Sequence, residues 1–356
     1  MIEFHFTQSG TRTINFQGAF AQGARIALLG PSGAGKTTFL RLLALLETSD
    51  RHTVSINNQS ITKPWLHQAT LLHQHPVMFA HHRVEQTLSY ARRLNPKIPE
   101  LPLKHWAEQL DIARLYQQPC NRLSGGQVQR VALLRALATG RRWLLMDEPF
   151  SALDVDRLNA ACEVVADYCQ LTGAGLILAS HQDMPHRYLC DSAYQVENLC
   201  GEIASDLFAV LNAQPGTAVK STLFAQTIGE VNGFLKVSLG GQSLYVRKPE
   251  RWQAGHCRIT LTASDISLAI GQDHLTSMVN RLNGVIQHMD EAGEQRTKVQ
   301  LSVEDQRLDV LISNWSRDRL ALKPGQLVAA EFKVGAARWH GQVSSVNKST
   351  DQGDHC

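Results

Sequence analysis

The stretch Gly30-Pro31-Ser32-Gly33-Ala34-Gly35-Lys36-Thr37 constrains this chain more than any other. It fits the pattern G-x-x-x-x-G-K-[ST] at every fixed position. An apolar run, Arg25 to Leu29, precedes it, and KTTFLRLLALLE, from Lys36 to Glu47, follows with helical spacing. A buried strand, a glycine turn and a helix in that order predict an α/β nucleotide-binding fold. The residue types follow from the physics. Glycines let the backbone curl until consecutive N–H groups point inward at phosphate oxygens, and the helix N-terminus adds its partial positive charge. Lys36 is placed to reach the outer phosphates, Thr38 continues the cradle, and the Thr37 hydroxyl is a ligand for Mg²⁺.

Two acids complete the chemistry. Trp143 to Asp147 is a second apolar strand, and it ends in Asp147-Glu148. Asp147 at the strand end suits a Mg²⁺ ion, and Glu148, one residue later, suits polarising an attacking water. Leu176 to Ala179 is a further apolar strand. Strands separated by helical segments predict a mainly parallel sheet with crossover helices. Residues 1–20 alternate apolar and polar and predict an antiparallel hairpin. The stretch 80–122 predicts helices broken at Pro96, Pro99 and Pro102, and a helix is expected after Ser124 as far as Thr139.

Leu123-Ser124-Gly125-Gly126-Gln127 opens that last helix. It makes a second anion-binding helix tip, and a second tip needs a reason. Together with the phosphate loop, Ser151-Ala152-Leu153-Asp154 and Ala179-Ser180-His181, it resembles the ATP-binding subunit of ABC transporters over residues 1 to about 205. The resemblance implies a head-to-tail homodimer that sandwiches two ATPs. Lys36 and Thr37 of one copy would face Ser124 and Gly126 of the other, with Gly125 and Gln127 in the same tip. It implies that Gln74 contacts Mg²⁺ and the water, that His181 orients Glu148, and that Asp154 is a dimer contact. Three departures stand out: His75 follows the glutamine where an acid or Asn is usual, Ala80 replaces a Pro, and no aromatic falls at the expected adenine-stacking position. Thr7 stands there, with Phe6 beside it as the candidate. His67, His73, His75, His81 and His82 crowd the same region, without zinc spacing or accompanying Cys. They are expected to form a locally basic surface that tunes docking or pH response.

Beyond about residue 205 the texture changes. The expected organisation is an ATPase domain over 1–210 with a helical subdomain at about 75–135, and a linker at 211–221 around Pro215 and Gly216. An all-β barrel domain follows over 222–342, in two half-repeats of about 222–270 and 278–335, then a disordered tail, 343–356. The pieces Arg258-Ile259-Thr260-Leu261, Val279 to Gly284, Trp315-Ser316-Arg317-Asp318 and Leu322-Lys323-Pro324-Gly325 resemble the molybdate-type (TOBE or Mop) oxyanion-binding domain. Ser277, Asn280, Arg281, Ser316 and Lys333 are the candidate oxyanion groups, since a tetrahedral dianion can be held by N–H groups, hydroxyls and a cation. A purely structural barrel that stabilises the dimer is the alternative.

Composition excludes several classes. Lys and Arg number 35 against 32 Asp and Glu, too even to make nucleic acid the main partner. The seven Cys are scattered with no C-x-x-C pair, which excludes a zinc knuckle. No charged-then-apolar leader opens the chain, and no apolar run approaches the roughly 20 residues of a membrane helix. The resemblance therefore implies a peripheral ATPase on the cytoplasmic face of the inner membrane. Its partners would be an identical copy, integral membrane permease subunits and a periplasmic or extracellular oxyanion-binding protein, with ATP and Mg²⁺ as cofactors. Molybdate import is the expected role. Sulfate, tungstate, iron or sugar import, or an oxyanion-sensing module, are the alternatives.

Overall fold

A computed structural model describes residues 1–10, 13–63, 68–95, 100–204, 206–213, 218–248, 252, 254–271, 276–293 and 295–342. His67 of the histidine group, residues 214–217 of the expected linker and the tail 343–356 lie outside them. The chain divides into two compact units, Met1–Leu207 and Phe208–Cys356.

The first unit is built on a ten-stranded sheet. Its opening strands are Ile2–Gln8 (β1), Ile14–Phe20 (β2) and Arg25–Leu29 (β3). Helix Lys36–Leu43 (α1) follows the glycine turn, and strands Arg51–Ile56 (β4), Gln59–Ser60 (β5) and Ala69–Leu72 (β6) come next. Then come helices Val84–Arg93 (α2), Leu103–Gln109 (α3) and Gly125–Ala138 (α4). Strand Trp143–Asp147 (β7), helix Val155–Thr172 (α5), strand Gly175–Ala179 (β8) and helix Asp183–Leu189 (α6) carry the chain onward. The hairpin Ser192–Glu197 (β9) and Cys200–Ala204 (β10) closes the unit.

The sheet order is β5-β4-β1-β2-β10-β9-β3-β8-β7-β6. It joins the expected parallel sheet to the expected antiparallel hairpin in one mixed sheet. The segment β9-β3-β8-β7-β6 is parallel, whereas β5, β4, β1 and β2 pair antiparallel with one another. The physical reason lies in the connections. Crossover helices α4 and α5 link the parallel strands, while β1 and β2 and also β4 and β5 are joined by turns too short for a crossover. The helix read over Lys36 to Glu47 ends at Leu43, because Leu45 adopts a left-handed φ of 59°. Phe4, Phe6, Phe16 and Phe20 pack around Phe39 and Tyr194 in the core between the antiparallel strands and α1.

Residues 211–213 of the expected linker belong to a helix, Leu207–Ala213 (α7), and 220–221 already open a strand. The second unit is a duplication. Strands Lys220–Val231 (β11), Phe234–Leu239 (β12), Gln242–Arg247 (β13), His256–Thr262 (β14) and Ser267–Ala269 (β15) form the first copy. Asn280–Glu291 (β16), Arg296–Val303 (β17), Gln306–Ser313 (β18), Leu327–Phe332 (β19) and Arg338–Gln342 (β20) form the second, with helix Asn314–Arg319 (α8) inserted. Each copy gives its last strand to the other sheet: the orders are β13-β12-β11-β14-β20 and β15-β19-β16-β17-β18.

Side chains repeat the exchange across the two copies. Gln242 brackets the Asn283 backbone at 2.7 and 3.1 Å, and Gln306 brackets that of Phe224 at 2.7 and 2.9 Å. Buried Asn280 takes the Tyr245 N–H at 2.7 Å and donates to its carbonyl at 2.8 Å; buried Ser221 takes the Asp309 N–H at 2.7 Å. Asn280 and Ser221 thereby satisfy backbone groups of the edge strands β13 and β18, and the two glutamines satisfy those of β16 and β11.

Candidate functional site

Four neighbouring parallel strands, β3, β8, β7 and β6, end at one edge of the sheet. Their registers align the tips: Leu28 pairs with Ala179, Asp147 with Ala179, and Leu72 with Met146. Ligand sites form where such strands end. Here the edge collects the glycine turn after β3, His181 after β8, Asp147 and Glu148 after β7, and Gln74 after β6.

The turn has the shape its sequence predicts. Gly30, Gly33 and Gly35 have φ of 148°, 80° and 111°, a range that L side chains rarely adopt. A Cβ on Gly30 would collide with the Val196 carbonyl, and one on Gly35 with the Leu199 side chain. Lys36 folds back over the turn, its Nζ donating to Gly30 O at 2.7 Å and Pro31 O at 2.9 Å. Burial lowers the pKa of this ammonium, and Glu148 and Asp147 oppose the shift. A buried cation at the mouth of a ring of N–H groups suits a polyphosphate.

Thr37 Oγ1 donates to Asp147 Oδ2 at 2.8 Å. Gln74 is exposed just past the end of β6, beside the β7 tip. Threonine hydroxyl, carboxylate and amide oxygen make a hard donor set, the kind that suits Mg²⁺.

Glu148 sits in a left-handed conformation at φ 49°, which is uncommon outside glycine and asparagine and recurs at functional sites. Its backbone is tied on both sides: its N–H donates to Ala179 O at 2.9 Å, and its carbonyl accepts from Gln129 Nε2 at 3.1 Å. Oε2 accepts the His181 N–H at 3.2 Å, and His181 Nε2 stands 3.4 Å from Oε1 without forming a hydrogen bond. Oε1 is buried with no donor of its own among the described residues. Burial raises this carboxyl's pKa, and the His181 N–H and ring pull it back down. An acceptor held in place, partly desolvated and short of one hydrogen bond is suited to orienting a water.

Helix α4 begins at Ser124, whose N–H donates to Gln127 Oε1 at 2.9 Å. Ser124 and Gly125 are exposed, so this second helix tip is open to solvent. Asp154 caps α5, its Oδ1 accepting the Arg157 N–H at 3.0 Å.

Gln129 was missed in the sequence. It is buried, and besides the Glu148 carbonyl it holds Ser151 Oγ at 3.1 Å and accepts the Ala152 N–H at 2.8 Å. It thereby fastens the helix that begins at Ser124 to the loop that carries Glu148. Its place on the inward face, four residues beyond Gly125, was the available signal.

Two expectations are corrected. Phe6 cannot stack on a base: it is fully buried, among Phe4, Phe39 and His52. The oxyanion candidates do not form one site. Asn280 pairs with Phe332, next to Lys333, at one end of β16. Ser316 lies beyond Ser313, which pairs with Arg296 near the opposite end of that strand. Asn280 is also spent on Tyr245, and Arg281 on Glu331 at 3.1 Å and on the Gly271 carbonyl. Ser277 is exposed. Among the described residues no cluster of His, Cys, Asp and Glu could hold a metal ion.

Comparison with known proteins fits this geometry. Residues 13–151 match the ABC transporter family and residues 276–337 the TOBE domain. The molybdenum import ATP-binding protein ModC of Aromatoleum aromaticum is 31% identical over 342 residues, 86% of each chain. The protein of that name from Haemophilus ducreyi is 29% identical over 334 residues, 86% of this chain and 91% of that one. The one from Escherichia coli K12 is 27% identical over 362 residues, 94% of this chain and 98% of that one. A solved ATP binding subunit of an ABC transporter has a TM-score of 0.52 at 20% identity, over 61% of this chain and 95% of that one, which shows a shared fold.

Proposed function

The chain belongs to the ABC transporter ATP-binding subunits, in the group of the molybdenum import ATPases, and from that premise we propose that it powers import of molybdate or a related oxyanion. The observation that supports the mechanism is the convergence of Lys36, Thr37, Asp147, Glu148, His181 and Gln74 on one sheet edge. The glycine turn, with Pro31, Ser32, Ala34 and Thr38, holds the triphosphate, and Lys36 swings from the loop carbonyls to its outer phosphates. Thr37, Asp147 and Gln74 would hold Mg²⁺, which would supply charge neutralisation for the phosphate oxygens. Glu148 orients a water towards the terminal phosphate through Oε1. His181, already in contact with both carboxylate oxygens, holds Glu148 and reaches the same phosphate.

The open tip at Ser124, Gly125 and Gly126 completes the site in a second copy, giving a head-to-tail homodimer with Asp154 near the seam. Closure of that dimer moves a surface shaped for a membrane subunit. Val77, Phe79 and Tyr90 are exposed there, beside a cavity of about 310 Å³ between β6, α2 and α4. Arg135 Nη1 pins the Val77 carbonyl at 2.8 Å. A cleft of that kind, part apolar and part polar, suits a short amphipathic helix from a permease. No helix among the described residues is long and apolar enough to cross a membrane; in this reading the permease supplies the pathway across it and the chain acts from the cytoplasmic face. An extracytoplasmic binding protein would deliver the anion.

Light scattering of the Glu148→Gln chain with ATP and Mg²⁺ tests the dimer: a twofold rise in mass is expected, and a monomer without ATP affinity would overturn the mechanism. Uptake of labelled molybdate by cells lacking the gene tests the cargo. Unchanged uptake, with loss of sulfate or sugar uptake instead, would reassign it.

A further inference from the structure

Residues 51–99 hold a single acid, Glu85, against six Lys and Arg and six His. The fold gathers part of this stretch on the face that carries the cleft between β6, α2 and α4. Helix α2 turns Val84, Thr87, Leu88 and Ala91 inward. Gln86, Tyr90 and Arg93 are left on its outer side at helical spacing, with Arg83 at its start, Arg92 beside Arg93 and Leu94 at its end. Phe79 joins the preceding loop to the same surface. Its ring meets Tyr90 at 5.6 Å and His82 at 5.0 Å, and His82 meets His81 at 4.7 Å. From this, and resting on the importer reading above, we infer that the α2 face beside the cleft binds the anionic lipid surface around the permease. Arg83, Arg92 and Arg93 meet the headgroup phosphates, and Tyr90 and Leu94 lie between them.

The first support is charge. Glu85, the one acid, is taken: its Oε2 accepts from Gln117 Nε2 at 2.6 Å. Arg83 donates to the Gln117 carbonyl at 2.8 Å and, like Arg93, has no carboxylate partner among the described residues. Arg92 stands 3.9 Å from Glu100, both side chains being exposed, a pair worth little in water. The face therefore keeps its positive charge, and a bilayer containing anionic lipid attracts each Lys or Arg held near it.

The second support is the mixture of side chains and its place. Exposed Tyr90 and Leu94 are one helical turn apart among the arginines, and Val77, 83% exposed, projects from the neighbouring loop. Tyrosine suits a boundary that is apolar on one side and wet on the other, and arginine meets phosphate through a planar fork of donors. A cleft turned to a membrane subunit turns the helix beside it to the bilayer that holds that subunit.

Co-sedimentation of the full chain with sucrose-loaded vesicles tests the inference. One set is phosphatidylcholine alone, and the other contains about one third phosphatidylglycerol. Wild type is expected to pellet with the charged set only and to come off as salt rises from about 0.05 to about 0.5 M. Arg92→Gln with Arg93→Gln should weaken that binding about fivefold for each charge removed, about 25-fold together. Arg319→Gln with Lys323→Gln, exposed cations of the second unit, should leave it unchanged. Equal binding to both vesicle sets would overturn the inference. Equal losses in the two double variants would do the same, since net charge alone would then explain the binding. Charged-vesicle binding unmoved by the Arg92 and Arg93 changes would also overturn it, and would leave these side chains to an acidic segment of the permease. ATP hydrolysis in the same samples keeps the importer reading apart. A chain that hydrolyses ATP through Lys36 and ignores the charged vesicles loses the lipid contact alone. A chain that hydrolyses no more ATP than Lys36→Ala loses the importer reading, and with it the reason for this face to meet a bilayer.

Discussion

At the scale of single residues, Glu148 carries the sharpest expectation. Its left-handed backbone and its buried, singly unsatisfied Oε1 suit it to the orientation of water proposed above. Glu148→Gln should keep ATP affinity while phosphate release falls by about 10²- to 10⁴-fold, the usual worth of a general base; near-normal release would remove the assigned role. His186 makes a different statement. It is buried on α6, burial brings its pKa down to about 4 from 6.5, and a hydrogen bond to the Leu178 backbone opposes that only in part. The folded chain therefore holds this ring neutral, while the unfolded chain protonates it below pH 6.5. Its contribution is complete above pH 6.5 and is lost as the pH falls from 6.5 through 4, about 3 kcal/mol in all. Urea unfolding across that window should show His186→Gln losing less stability than wild type. Parallel pH profiles would contradict the assignment.

At the scale of elements, the strand tips and helix starts are what make the site. β3, β8, β7 and β6 need only be parallel and in register for their following residues to meet. Gln129 then ties α4 to the Glu148 loop by hydrogen bonds to Glu148, Ser151 and Ala152. Gln129→Ala leaves buried backbone groups unpaired, so a loss of about 1–3 kcal/mol is expected. A lower hydrolysis rate with little change in ATP affinity should accompany it. A stability loss without a rate change would make the residue a packing bridge only. These elements differ in how plainly their residues declare them. The glycine turn reads directly, because only glycines tolerate its φ values and the close approach of Val196 and Leu199. Gln129 does not, because a glutamine on a helix is ordinary until its tertiary partners are known. Phe6 misled for the same reason: alternation marks a strand with two faces, and the packing of α1 decided that the phenylalanine face lies inward.

At the scale of the whole molecule, the second unit is held together by reciprocity. Each copy lends a strand to the other's sheet, and amide side chains bracket the partner copy's backbone at equivalent places. Asn280→Ala removes both hydrogen bonds to Tyr245 in a fully buried place and should cost about 2–4 kcal/mol. Thermal denaturation should detect it, with ATP binding unchanged; an unaltered Tm would mean that water replaces the amide. A residue that looks like an anion ligand in a string of letters is thus a structural clasp. Ser277 is exposed, and Ser316 lies towards the opposite end of β16.

The sequence alone settled the local chemistry: a glycine turn between a strand and a helix, two acids closing an apolar strand, and a serine-glycine helix start. Each depends on residues adjacent in the chain, and conformational limits and capping act over that range. The tertiary structure decided everything that depends on residues far apart. It brought Gln74 to the strand edge beside the tip of β7, turned the β1 aromatics into the core and set Ser316 apart from Asn280. It also exchanged the last strands of the two copies. Those outcomes follow from strand order and register, which are fixed by which faces bury one another and by no single stretch of the chain.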